Sequence, residues 1–230
     1  MTAADGAVEI PVAGAVLHGN LLAANDASGI VVFAHGSGSS RLSPRNRSVA
    51  GYFRDRGLGT LLFDLLTAEE EQIDAYSREY RFDIPFLAER LVAVTDWLVE
   101  DRATPAAIGY FGASTGAAAA LVAAAETPGR IHAIVSRGGR PDLAAAALEH
   151  VRAPTLLLVG GHDPEVLRLN ESAFARLGCD KELVVIPGAT HLFAEPGALE
   201  TVAQRAAEWF VQHFRDDERV TLPVTDPANR

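Results

Sequence analysis

The chain has 230 residues, enough for one large domain with a full core. Its 48% hydrophobic and 22% charged content is that of an ordinary globular protein, and a formal net charge of −10 argues against a nucleic-acid or anionic-membrane partner. The single cysteine, Cys179, excludes an intrachain disulfide, which fits a reducing cytoplasm.

In chain order, Met1 to Asp5 show neither the basic nor the apolar region of a signal peptide, so a cytoplasmic location is expected. Val8–Val12 and Ala15–Leu22 read as a hairpin turning at Gly14. Ile30–Ala34 is a continuous apolar run, the pattern of a strand buried on both faces. The loop His35-Gly36-Ser37-Gly38-Ser39-Ser40 follows, and Ser43-Pro44 signals a helix start, with the helix ending near Gly57. Leu58–Phe63 reads as the next strand and Leu65–Tyr80 as a polar, acidic connection.

Between Arg81 and Glu100, Phe82, Phe86, Leu87, Leu91, Val94 and Leu98 recur at helical spacing and predict one buried helix face. Pro105 to Ala125 is uncharged and approaches transmembrane length, but its glycines and Ser114-Thr115 fit a buried strand and helix joined by a turn. Further strands are expected at Ile131–Ser136, Thr155–Gly160 and from Glu182. Helices are expected at Asp142–His150, Pro164–Leu177 and Ala198–Phe214. Strands alternating with helices predict an α/β fold whose mostly parallel sheet is covered on both faces. One domain over residues 1–215 is expected, with 216–230 as a flexible tail. The span from Arg137 to Pro154 is too short for a cap domain.

The chemistry concentrates at Gly112-Ala113-Ser114-Thr115-Gly116, which follows an apolar run and opens an Ala-rich segment. In that context G-x-S-x-G is a nucleophile elbow, with glycines where the tight turn forbids bulk. Asp163 and His191 each stand just past a predicted strand, where open α/β sheets carry their chemistry. The order Ser, Asp, His is that of α/β-hydrolases. His191 is the candidate base for Ser114, and Asp163 the candidate group that orients it; Asp142 is the rival acid. The backbone N–H groups of Thr115 and Ser37 are the expected oxyanion-hole donors. Arg137, Arg140 and Arg41 are candidates for holding a substrate carboxylate, with ties to loop carbonyls as the equal alternative for the first two. His35 reads as a loop-shaping residue. No metal-ligand spacing, P-loop or complete dinucleotide fingerprint is present, and no metal or cofactor is expected.

Phe33–Ser40, Gly112–Gly116, Gly160–Asp163 and Thr190–Phe193 together give the chain a resemblance, from about Val8 to Phe214, to the dienelactone hydrolase-like branch of the α/β-hydrolases. It looks closest to a serine-nucleophile subgroup sometimes fused to phosphoribosyltransferase domains; no such domain is expected here. The resemblance implies an eight-stranded sheet, a triad and hydrolysis of esters or lactones. Two departures stand out: Ser114 replaces the family's cysteine, and Gly36 replaces a glutamate beside the oxyanion residue. The expected partner is a small ester or lactone, with no nucleic acid or membrane. A hydrolase-fold protein with a vestigial triad, and acyl transfer to an acceptor other than water, are the alternatives.

Overall fold

A computed structural model describes residues 6–22, 27–101 and 107–220, apart from the side chains of 101 and 216–220. Eight strands form one sheet: β1 (Gly6–Val12), β2 (Ala15–Leu22), β3 (Ile30–Ala34), β4 (Gly59–Phe63), β5 (Ile108–Ala113), β6 (Ala133–Arg137), β7 (Thr155–Gly160) and β8 (Lys181–Ile186). Their spatial order is β1-β2-β4-β3-β5-β6-β7-β8. The β1–β2 and β2–β4 pairs are antiparallel and the rest parallel, so five crossovers run from β3 to β8 through β4, β5, β6 and β7 in a mostly parallel sheet. This is the expected α/β architecture.

The described residues form six α-helices, α1 (Pro44–Arg54), α2 (Ala68–Ser77), α3 (Ile84–Asp101), α4 (Thr115–Glu126), α5 (Pro164–Arg176) and α6 (Ala198–Val220), of which α1, α3, α4, α5 and α6 pack on the sheet. The period-two alternation of strand side chains sorts the core into two layers. Val31, Phe33, Phe111, Val135 and Leu158 pack with Phe53 of α1 and Val202 and Phe210 of α6. Val32, Tyr110, Ile134 and Leu157 point to the opposite face, against Leu91 of α3, Leu121 of α4 and Ala173 of α5. The alanines of α4 let it lie close against the sheet; Ala117 to Leu121 are all completely buried.

Three expectations change. The acidic connection after β4 contains α2, because Thr67 and Glu70 form a capping box: Glu70 N–H donates to Thr67 Oγ1 (3.2 Å), and Thr67 N–H to Glu70 Oε2 (2.8 Å). The segment Pro141–His150 is 3₁₀ helix and not α-helix, interrupted at Ala145, whose φ of 47° breaks the helical path. The last helix runs on through Val220, into the stretch read as a tail; residues 221–230 lie outside the described residues. Between β6 and β7 there is only that 3₁₀ segment, and no cap domain is inserted there.

Candidate active site

The turn between β5 and α4 forces Ser114 into φ 50° and ψ −121°, a region that costs a non-glycine residue on the order of 1–3 kcal/mol. Packing on both sides sustains the strain. A Cβ on Gly116 would lie 2.2 Å from the Ala34 carbonyl oxygen, and one on Gly112 would lie 2.4 Å from Ala117 Cα. Only glycine permits strand, turn and helix to approach this closely. The Ser114 backbone is also fastened to β6 and the loop after it: its N–H reaches the Arg137 carbonyl at 3.4 Å, and its carbonyl accepts from Arg140 N–H at 3.0 Å.

The loops after β7 and β8 are stitched together by Gly161 N–H to Ile186 and His162 N–H to Ala189, each at 2.9 Å. This brings Asp163 to His191, whose Nδ1–H donates to Asp163 Oδ2 at 2.7 Å. Asp163 starts α5 but its side chain makes no capping bond, so the carboxylate serves the imidazole. Nδ1 carries the proton in that bond, which leaves Nε2 as the basic nitrogen. His191 and Ser114 meet the same segment of chain. A Cβ built on Gly138, one residue past the Ser114 partner Arg137, would lie 3.7 Å from His191 Cε1.

The loop after β3 closes the other side. A Cβ on Gly36 would fall 3.0 Å from Ser114 Cβ. His35 shapes this loop, with Nδ1–H donating to the Gly36 carbonyl (3.0 Å) and Nε2 accepting from Leu65 N–H (3.1 Å). Burial lowers its pKa and favours the neutral ring that this pattern needs. Ser37 N–H, an expected oxyanion donor, is given to the Thr115 hydroxyl at 3.0 Å. Beside Ser37 and Thr115 lies a cavity of about 40 Å³, walled by residues 36–40, Leu65, Leu66, Leu87 and the Asp74–Arg81 ion pair. A larger groove of about 580 Å³, between β2 and α1, includes Arg41, Arg47 and Arg54 but none of Ser114, Asp163 and His191.

The candidate arginines separate. Arg140 holds Asp142 through Nε (2.9 Å) and Nη2 (2.8 Å), which also occupies the rival acid. Arg41 pairs with Asp64. Both guanidinium groups already have carboxylate partners. Arg137 was expected on a rim loop; it is the last residue of β6 and is buried, its side chain meeting Asn46 of α1. Asn46 and Arg45 had no place in the sequence reading, although the Ser43-Pro44 start signal located their helix.

Residues 23–216 match the dienelactone hydrolase family model, and the chain belongs to that family. The solved structure of a dienelactone hydrolase from Anabaena variabilis is 60% identical, covering 90% of this chain and 96% of that one, with a TM-score of 0.88. Est1E from Butyrivibrio proteoclasticus shares the fold at 17% identity over 91% of this chain and 99% of that one, with a TM-score of 0.76. A Mycobacterium tuberculosis (strain H37Rv) protein named "Putative phosphoribosyl transferase" is 53% identical over 91% of this chain. The chain spans 47% of that relative's length.

Proposed function

We propose that the protein is a serine hydrolase of small carboxylic esters or lactones, working through an acyl-serine intermediate. The observation that carries this reading is the Asp163–His191 bond beside the strained Ser114 turn. As Ser114 Oγ attacks the acyl carbon, its proton passes to His191 Nε2, and Asp163 stabilises the imidazolium. The carbonyl oxygen becomes an oxyanion facing Thr115 N–H at the start of α4, where the helix dipole favours negative charge. Collapse of this intermediate breaks the ester C–O bond, and the alkoxide leaves with the proton from Nε2. Water, deprotonated by His191, then attacks the acyl-serine and releases the acid. The family membership supports hydrolysis, and the cytoplasm is the proposed location.

The test is a stopped-flow experiment with p-nitrophenyl acetate, coupled to mass spectrometry of the quenched enzyme. The expected result is hydrolysis with an acetyl group on the peptide containing Ser114, and loss of both in Ser114→Ala. A Ser114→Ala variant that keeps its turnover would overturn the reading.

A further inference from the structure

Two peptide groups of the loop after β6 hold the backbone of Ser114, and each is anchored on its far side. The Arg137 carbonyl, which receives Ser114 N–H, shares a peptide plane with Gly138 N–H, and Gly138 N–H donates to Leu158 of β7 at 2.7 Å. The Arg140 N–H, which donates to the Ser114 carbonyl, shares a plane with the Gly139 carbonyl, and that carbonyl accepts from Asn170 Nδ2 of α5 at 3.0 Å. The first anchor is strand backbone, present whatever the residue. The second is a side chain, so the residue type decides it.

Asn170 is completely buried in the interior of α5, where asparagine is a poor helix former. Its amide has two N–H groups, and both are used. One donates to the Val166 carbonyl one turn back (2.8 Å), which fixes the side chain; the other crosses to Gly139. Oδ1 is buried without a donor, a cost that an apolar residue would spare the helix. Among the described residues, Asn170 is the one hydrogen-bond donor to the Gly139 carbonyl. A Cβ on Gly139 would lie 2.0 Å from Ser136 Oγ and 2.6 Å from Ala117 Cβ, so the position has to be glycine and its backbone turns with little restraint of its own. Without the Asn170 donor, the Gly139–Arg140 peptide is free to rotate, Arg140 N–H leaves Ser114, and the strained turn loses one of the bonds that sustain it.

The base packs on the same loop. A Cβ on Gly138 would meet the His191 carbonyl oxygen at 3.1 Å and Phe193 Cε2 at 3.2 Å. Asn170 thus ties the helix that begins after Asp163 to the loop that holds Ser114 and touches the His191 segment.

We propose that Asn170 is a positioning residue, which fixes the Gly139–Arg140 peptide and so keeps Ser114 in register with His191. The proposal rests on the serine hydrolase reading.

The test is the second-order rate at which a fluorophosphonate phosphonylates Ser114, whose Oγ displaces fluoride, read beside the downfield NMR resonance of the His191 Nδ1 proton. Asn170→Leu removes the donor, and Asn170→Asp keeps the shape but puts an oxygen where Nδ2 stood. Ser136→Ala is the control; it removes a buried hydroxyl beside Gly139 that has no hydrogen-bond partner. Both Asn170 variants are expected to label about tenfold to a hundredfold more slowly, the cost of a small misplacement of the nucleophile. On p-nitrophenyl acetate their kcat should fall alike while KM stays within about twofold, because Asn170 does not touch substrate. The His191 proton resonance should persist, since Asp163 still holds the imidazole, and Ser136→Ala should label within about twofold of wild type. Labelling at the wild-type rate in folded Asn170→Leu overturns the proposal, as does a change in KM alone, loss of the His191 resonance, or equal slowing in Ser136→Ala. Failure of both Asn170 variants to fold also overturns it, since the residue would then support the fold and not the site. A wild type that does not label is a separate result: it overturns the serine hydrolase reading itself, and this proposal with it.

Discussion

The hydroxyl of Thr115 sits 3.0 Å from the backbone nitrogen of Ser37 and accepts its N–H. On the reading that Ser37 N–H is an oxyanion donor, the Thr115 hydroxyl competes for it and has to turn aside for Ser37 to act. Thr115→Ala removes the competing acceptor and leaves the Thr115 position's own N–H in place. Since a neutral hydrogen bond has a net worth of about 1 kcal/mol, kcat/KM on a short ester is expected to rise about fivefold. A fall of tenfold or more would instead mark the hydroxyl as a donor to the oxyanion.

Asp163 and Asp142 have distinct partners, and substitution should separate them. Asp163→Asn replaces the acceptor that fixes the His191 tautomer, so kcat is expected to fall by about 10³–10⁴. Asp142→Asn affects only the fork to Arg140 and should leave kcat within about tenfold of wild type, as for a partly exposed ion pair. Steady-state kinetics on one activated ester compare the two. A larger loss at Asp142 would reverse the assignment.

Much of this arrangement was legible in the sequence, for identifiable reasons. Fully apolar runs such as Ile30–Ala34 and Thr155–Gly160 have few options besides central strands, and their ends place Ser37 and Asp163 on one rim of the sheet. Ser114 was legible because its two flanking glycines have a steric purpose. Residues whose roles depend on side-chain direction were not. Arg137 looked like a rim residue because its Gly-Gly neighbours suggested a loop, yet the β5–β6 ladder extends through it and turns its side chain inward. The 3₁₀ break at Ala145 had no marker, since alanine rarely adopts positive φ. The α2 helix did have one, the Thr67–Glu70 spacing, but its few apolar residues, Ile73 and Tyr76 among them, are exposed and set up no buried face.

The strained turn at Ser114 sets function against stability. Ser114→Ala keeps the unfavourable φ of 50°, whereas Ser114→Gly relieves it. Glycine's extra freedom in the unfolded chain offsets about 0.5–1 kcal/mol of that relief. The glycine variant is expected to be more stable than the alanine variant by about 1 kcal/mol, with both inactive. Urea unfolding of the two proteins measures the difference, and a less stable glycine variant would contradict a strained turn.

Asp74 of α2 fastens the 3₁₀ turn Tyr80–Phe82 that precedes α3, and it walls the cavity beside Ser37. Its carboxylate accepts from the N–H groups of Tyr80 (2.9 Å) and Arg81 (3.0 Å) and from the Arg81 guanidinium. Burial pushes the carboxyl up, but these bonds outweigh it and hold its pKa below the ordinary 3.8. A lowered folded-state pKa contributes stability that is fully present above the unfolded value and is lost as pH falls through the folded one. The window therefore lies below about pH 4. Asp74→Asn should lower the melting temperature at neutral pH, and the gap to wild type should narrow in that acid window. A gap independent of pH would show that the ionised form contributes nothing.

The last prediction concerns substrate length. No cap lies between β6 and β7, and the cavity beside Ser37 and Thr115, lined by the β3 loop, α2 and the start of α3 but by none of Ser114, Asp163 and His191, is taken as the acyl pocket of the proposed esterase. The cavity they leave beside Ser37 and Thr115 is about 40 Å³. One water needs about 10–15 Å³ on the same measure, so the space suits an acyl group of a few heavy atoms and no more. Each CH₂ buried there contributes about 0.8 kcal/mol, close to a fourfold gain in kcat/KM. Once the cavity is full, further carbons lie on the open rim and gain little. On p-nitrophenyl esters of two to twelve carbons, kcat/KM is expected to climb over the first few and then level or fall. Leu87→Ala, which enlarges the wall where α3 meets the cavity, should move that break to longer chains. A continuous rise through twelve carbons in the wild type would require a deep acyl tunnel, which these walls do not contain.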